Sequence, residues 1–224
     1  YGIVLWSAGA GSVQLLFAPL ADRWGKKQTL LSGILLFLIA SLICALTLNI
    51  QWFFVGRFIQ GMTVCFICIS GYSLVHELYT TKDAISALSI LSAITVIAPA
   101  VGPSLGGVMV YYFSWRYIFY LFFILGIIGF VGLAFSMQLC KLKKHSLQLN
   151  LSQSLCVYYR IISNLPFMRY SVISAFSIAG LIIWNIQSSF FLILKLGKTE
   201  IFYGIYQGAI FSFFVIGSFL AKYL

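Results

Sequence analysis

Acid is scarce in this chain. Of 224 residues only 4 are Asp or Glu, against 14 Lys or Arg. Asp22, Glu77, Asp83 and Glu200 all stand in loops or at the ends of apolar runs, never inside one. Histidine is scarcer still. His76-Glu77 opens like a zinc metalloprotease motif, but Thr80 occupies the place of the second histidine. No Ser/His/Asp or metal-ligand constellation emerges, so the chain is not expected to be an enzyme. The 5 cysteines are too few and wrongly placed for a disulfide framework: Cys44, Cys65 and Cys68 lie inside apolar runs, and Cys140 and Cys156 flank a hydrophilic stretch. The Cys65/Cys68 spacing suits a metal, yet no second Cys or His pair accompanies it, and small core hydrophobes are the plainer reading. Neither a metal nor a cofactor is expected. The basic residues form no dense stripe and have no soluble domain behind them, which excludes nucleic acid as a partner. A charged leader before the first apolar run is missing too, so no signal peptide is read. The first residue is Tyr1 and the last three are Lys222-Tyr-Leu, just past another apolar run. Both ends are expected to be cuts within a longer protein.

What is abundant is hydrocarbon. The composition is 62% hydrophobic and 8% charged with a mean hydropathy of +1.03, the balance of a chain whose solvent is lipid. Seven apolar runs follow one another at about 2–21, 28–48, 52–75, 84–112, 116–139, 167–194 and 201–222. Each is long enough for a helix to cross ~30 Å of hydrocarbon. Alternating sides puts nine basic residues (Arg23, Lys26, Lys27, Lys82, Lys141, Lys143, Lys144, Arg160 and Lys222) on one face. The other receives three: Arg116, Lys195 and Lys198. The richer face is the cytoplasmic one. Trp52, Phe53, Phe54, Tyr111, Tyr112, Phe113, Trp115 and Tyr117 gather at the poorer face as an aromatic interface belt. The only long hydrophilic stretch, 140–166, carries Leu151, Leu155, Tyr158, Tyr159 and Ile162 at helical spacing. It reads either as a surface-lying amphipathic helix or as a loose linker. The domain division that follows is a bundle over 1–139, a cytoplasmic linker over 140–166 and the start of a second bundle over 167–224.

The short charged hinge between the first two runs organises the rest. Ala18-Pro19-Leu20-Ala21-Asp22-Arg23-Trp24-Gly25-Lys26-Lys27 resembles the loop signature of the major facilitator superfamily, which opens with Gly where this chain has Ala18. Arg57-Phe58-Ile59-Gln60-Gly61 resembles that family's Arg-x-x-Gln-Gly. Ala98-Pro99-Ala100-Val101-Gly102-Pro103-Ser104-Leu105-Gly106-Gly107 resembles the signature of its drug/proton antiporters. With Ser114-Trp115-Arg116-Tyr117-Ile118-Phe119 following, the chain is similar to the bicyclomycin-resistance (Bcr/CflA) multidrug efflux subfamily. The resemblance implies an all-α integral membrane protein with a partial major-facilitator fold: helices two to eight, about seven of an expected twelve.

Each motif also has a physical reading. Asp22 and Lys26 are four apart and can face each other at a helix end. With Arg23, Gly25, Lys27 and Glu77 they read either as a cytoplasmic gate held by charge or as an ordinary orienting loop whose surface ion pairs count for little. Arg57 is the one charge well inside a run, which costs ~2.5–3.5 kcal/mol on insertion scales. It either snorkels toward the interface or, with Gln60, Gly61, Val64, Cys68 and Gly71 on its face, lines a cavity or partner helix. The resemblance implies that Arg57 tunes a proton-binding carboxylate on a neighbouring helix. Pro99, Gly102, Pro103, Gly106 and Gly107 give kinks and small faces. Gly204, Gly208 and Ser212 offer a matching face, so these two helices are expected to pack across the interface between the halves, either as a gate on the pathway or as ordinary helix packing. Ser174, Trp184, Asn185 and Ser188, with Gln187 beside them, are candidates for a substrate cavity.

The expectation is a secondary transporter of the bacterial inner membrane, exporting drugs or other hydrophobic small molecules in exchange for protons by alternating access. Its partners are a small-molecule substrate, protons, the lipid bilayer and the missing helices of the same transporter. The alternatives are a carrier of a metabolite such as a sugar or organic acid, and a truncated remnant that does not transport.

Overall fold

The structure, a computed structural model, describes residues 2–139 and 158–220; for residues 15–23, 96, 99, 100, 137–139 and 214–220 it describes the backbone alone. Seven long helices follow in order: α1 (Gly2–Trp24), α2 (Lys26–Leu46), α3 (Ile50–Leu78), α4 (Thr81–Tyr112), α5 (Arg116–Leu139), α6 (Leu165–Ser189) and α7 (Glu200–Leu220). A π-helical turn, Phe190–Lys195, continues α6. No strand occurs among the described residues. All-helical architecture is what the bilayer demands, because each spanning segment must satisfy its own backbone polar groups. By length and composition four described stretches can cross a membrane: Lys26–Leu46, Ile50–Leu78, Arg116–Ser136 and Leu165–Lys195.

The seven helices coincide with the seven apolar runs to within a few residues, and the differences have physical causes. Pro19 and Gly25 both stand in the charged hinge, and either residue type can end a helix. Yet α1 runs through Pro19 to Trp24. Proline removes one backbone donor, which bends a helix without having to end it. Gly25 alone makes the break, at φ 91°, a left-handed conformation that glycine adopts without steric cost. The expected linker 76–83 shrinks to Tyr79 and Thr80, since α3 persists to Leu78. Thr80 then caps α4: its Oγ1 accepts from Asp83 N (3.5 Å) and donates to Asp83 Oδ2 (2.7 Å). Asn49 and Asn164 cap α3 and α6 by accepting from Gln51 N and Phe167 N. In the long hydrophilic stretch, 158–162 form a helical turn on which Tyr159 and Ile162 are exposed. Leu151, Leu155, the basic cluster Lys141–His145, Cys140, Cys156 and Lys222 lie outside the described residues.

Two compact units divide the chain. The first comprises residues 1–92 and 115–149, the second 93–114 and 150–224, so α4 contributes to both. In the first unit α2 is sandwiched between α3 and α5 and buries two stripes. Leu30, Ile34 and Leu38 join Leu74 in one cluster, against which Ile67, Phe123, Phe130 and Leu133 pack. Cys44 and Ala45 join Phe119 in the other. Lipid tails are as apolar as leucine, so this packing is driven by close contact, which small residues permit. A methyl placed on Gly56 would meet Cys44 Sγ at 2.7 Å, and one on Gly126 would meet Leu38 Cδ2 at 2.7 Å. At the helix ends Phe53, Trp115 and Phe119 stack edge to face, with centroids 5.3 to 5.9 Å apart. Arg116 lies over the Trp115 ring and donates to Thr47 O at the C-terminus of α2.

Candidate functional site

The polar centre of the first unit is built on Arg57. Its Nη1 donates to Gln60 Oε1 at 3.2 Å, one turn along α3. Gln60 Nε2 in turn donates to Ser41 Oγ of α2 at 2.8 Å. Gln60 is 1% exposed and Ser41 fully buried. The guanidinium carbon lies 5.3 Å from the centroid of Phe119 on α5, a cation–π contact that compensates part of its desolvation. Arg57 Nε is buried with no hydrogen-bond partner. Arg57 therefore turns into the bundle, holds three helices together and keeps one donor free for an acceptor.

Gly61, on the next position of α3, does something different. A Cβ there would run into the carbonyl of Trp6 on α1, and a Cβ on Gly9 would run into the carbonyl of Phe58. The two helices cross backbone to backbone, and Cys65 Sγ donates to Ala10 O at 3.0 Å along the same seam. The expected stripe thus divides. Gln60 goes to α2 and Gly61 to α1, while Cys68 is exposed and Gly71 has open space beside it.

At the basic-rich end Lys26 Nζ lies 3.1 Å from Glu77 Oε2, both side chains about a quarter exposed. The pair joins the start of α2 to the end of α3. Gly25 supplies the reversal that brings Lys26 there. Lys27 is half-buried. Asp22 and Arg23 lie on the last turn of α1, where only the backbone is described.

In the second unit α4 and α7 meet at their backbones. Ser104 Oγ donates to Gly204 O at 2.8 Å. A Cβ on Gly204 would meet Pro103 O at 2.8 Å, and one on Gly107 would run into Glu200 O. The contact is made by Pro103, Ser104 and Gly107, whereas Gly102 and Gly106 face open space. The helical period explains the shift, because the contact stripe passes through 103 and 107 and not through 102 and 106. Pro99 is described by its backbone alone.

Between α6 and α7 a second polar cluster surrounds Gln207, which is fully buried. Gln207 Nε2 donates to Asn185 Oδ1 at 2.6 Å, and Trp184 Nε1 donates to Gln207 Oε1 at 3.2 Å. Tyr203 Oη donates to Asn185 O at 3.3 Å, and so does buried Ser188 Oγ at 3.3 Å. Trp184, Asn185 and Ser188 are thus brought together, and Ser174 stands apart, exposed on an earlier turn of α6. Beside the cluster a cavity of about 490 Å³ is lined by Trp184, Gln187, Ser188, Phe191, Lys195 and Tyr206 among others.

Sequence reasoning missed four members of these clusters: Gln207, Tyr203, Ser41 and Phe119. Gln207 sits between Gly204 and Gly208 on the small face read from α7, and an amide at membrane depth was itself the signal. Ser41 was hidden among many serines. Phe119, inside a quoted motif, gave no sign that its ring would seat a guanidinium.

A helical membrane bundle with a half-buried, inward-turned arginine in one polar cluster and glycine-lined contacts elsewhere has the build of a membrane carrier. The Major Facilitator Superfamily model matches residues 2–224, and the chain belongs to that superfamily of transporters. It is 30% identical over 210 residues to the chloramphenicol resistance protein CraA of Acinetobacter baumannii, covering 94% of this chain and 50% of that one. It is 31% identical over 212 residues to the multidrug transporter MdfA of Edwardsiella piscicida, covering 95% and 52%. The multidrug resistance protein MdtM of Salmonella typhimurium is 35% identical over 117 residues, covering 52% and 28%. The chain spans about half the length of the curated relatives it matches.

Proposed function

We propose that this chain forms part of a proton-coupled exporter of drugs or other hydrophobic small molecules, working by alternating access in a bacterial inner membrane and carrying out no enzymatic reaction. The observation that carries the reading is the inward-turned Arg57. A cation inside an apolar bundle costs energy that packing alone does not require, so its retention calls for a function. Gln60 and Phe119 fix the guanidinium, and its free Nε is positioned to favour the ionised form of a carboxylate brought alongside it. Protonation of such a carboxylate weakens that attraction, and a difference of this kind can bias a carrier between two states. The names of the multidrug relatives support export of small molecules.

Two further parts fit the same scheme. The Lys26–Glu77 pair fastens the cytoplasmic ends of α2 and α3 and serves as a latch. The seam of Pro103, Ser104 and Gly107 against Glu200 and Gly204 excludes water between α4 and α7 and limits leakage. The test is Arg57→Ala in the full-length carrier, assayed in everted vesicles energised by a proton gradient. Drug accumulation is expected to vanish while the protein level is unchanged. Accumulation at the unmodified rate refutes the coupling role.

A further inference from the structure

The cavity between α6 and α7 has a chemistry that the efflux reading leaves undefined. Its volume of about 490 Å³ falls within the range of small-ligand sites, ~300–1,000 Å³. Three aromatic residues, Trp184, Phe191 and Tyr206, contribute to its lining, and Gln187 and Ser188 add neutral polar groups. Trp184 is 43% exposed but its indole N–H is committed to Gln207, so the ring is held by its edge with a face left open. Lys195, at the end of the π-helical turn, is the charged group of the lining. Its ammonium rests 5.4 Å from the centroid of the Phe191 ring, and among the described residues it pairs with no carboxylate. A ring satisfies a cation only partly, and the remaining ammonium hydrogens are free for an anion.

We propose that this cavity binds flat aromatic anions, with Trp184, Phe191 and Tyr206 packing on the ligand's ring and the Lys195 ammonium pairing with its carboxylate or sulfonate. The proposal rests on the substrate-cavity reading for the place where the ligand lies, but not on proton coupling or on transport. It also gives the π-helical turn a purpose. Widening the end of α6 sets Phe191 and Lys195 on the cavity wall, and π-turns are found frequently at functional sites.

A matched pair of dyes tests it: 1-anilinonaphthalene-8-sulfonate and its neutral parent 1-anilinonaphthalene, which differ by the sulfonate. Each is titrated into the full chain in nanodiscs of zwitterionic lipid, with energy transfer from tryptophan to dye as the readout. Lys195→Gln is expected to weaken the sulfonate's binding by about threefold or more, as for a partly exposed ion pair. Lys195→Arg is expected to restore it, and the neutral dye is expected to bind both variants alike. Trp184→Phe is expected to remove most of the transfer from either dye. If Lys195→Gln leaves the sulfonate's affinity unchanged while transfer still depends on Trp184, the anion assignment is overturned and the cavity reading survives. If transfer from both dyes ignores Trp184, the cavity itself is refuted, whatever the vesicle assay shows.

Discussion

Gln60 offers the sharpest quantitative test, because one side chain links Arg57 to Ser41. Gln60→Leu keeps nearly the same volume, so no cavity opens and the effect is that of the lost hydrogen bonds. Ser41 loses little, since its hydroxyl can turn back to a carbonyl of its own helix. Arg57 has no such recourse. Its Nε is already unpartnered, and losing Gln60 Oε1 leaves a second guanidinium nitrogen without an acceptor. A hydrogen bond to a charged group contributes ~1.5–3 kcal/mol, so Gln60→Leu should destabilise the first unit by about 2 kcal/mol. Gln60→Glu keeps the acceptor for Arg57 and can accept from the Ser41 hydroxyl in place of the amide's donation to it, so it should cost less. The structure supplies the reporter: Cys44 and Cys65 are buried free thiols, and Cys68 is exposed. With Cys68, Cys140 and Cys156 replaced by Ser, labelling of the two buried thiols during thermal unfolding in detergent reads the opening of the helix seams. Gln60→Leu should melt several degrees lower, and adding Ser41→Ala should change it little further. Equal melting of Gln60→Leu and the parent would show that the guanidinium does not depend on this amide, and the polar centre described above would fall.

Other consequences are simpler to state. Gly61→Val places a branched side chain against the Trp6 carbonyl, so α1 and α3 must part; a loss of at least ~1–3 kcal/mol is expected in the same thiol assay, and an unchanged melt would contradict the backbone contact. Glu77→Gln removes a partly exposed ion pair, so stability should fall by no more than ~1 kcal/mol, and by less at high salt, in detergent unfolding. Gln207→Leu leaves the Trp184 indole N–H and Asn185 Oδ1 without their partner; a red-shifted tryptophan emission and a melt lowered by ~1 kcal/mol are expected, and an emission spectrum identical to the parent's would count against the cluster.

The sequence by itself determined the solvent, the number of helices and their approximate ends, and its basic residues set an expectation for the orientation in the bilayer. These follow from local quantities: the length of an apolar run against the thickness of hydrocarbon, and the sides on which lysine and arginine fall. It also marked Arg57, because a charge at membrane depth is visible without knowing its neighbours. Tertiary structure alone decided which face each residue turns to which partner. Gln60 and Gly61 are adjacent in sequence, yet one hydrogen-bonds α2 and the other admits α1. Gly102 and Gly106 have the same spacing as Pro103 and Gly107, but only the latter pair meets α7. Hydropathy in a membrane helix is nearly uniform around the axis, so it cannot say which stripe faces protein and which faces lipid. That choice rests on the fit of one backbone against another, which exists only once the helices are side by side.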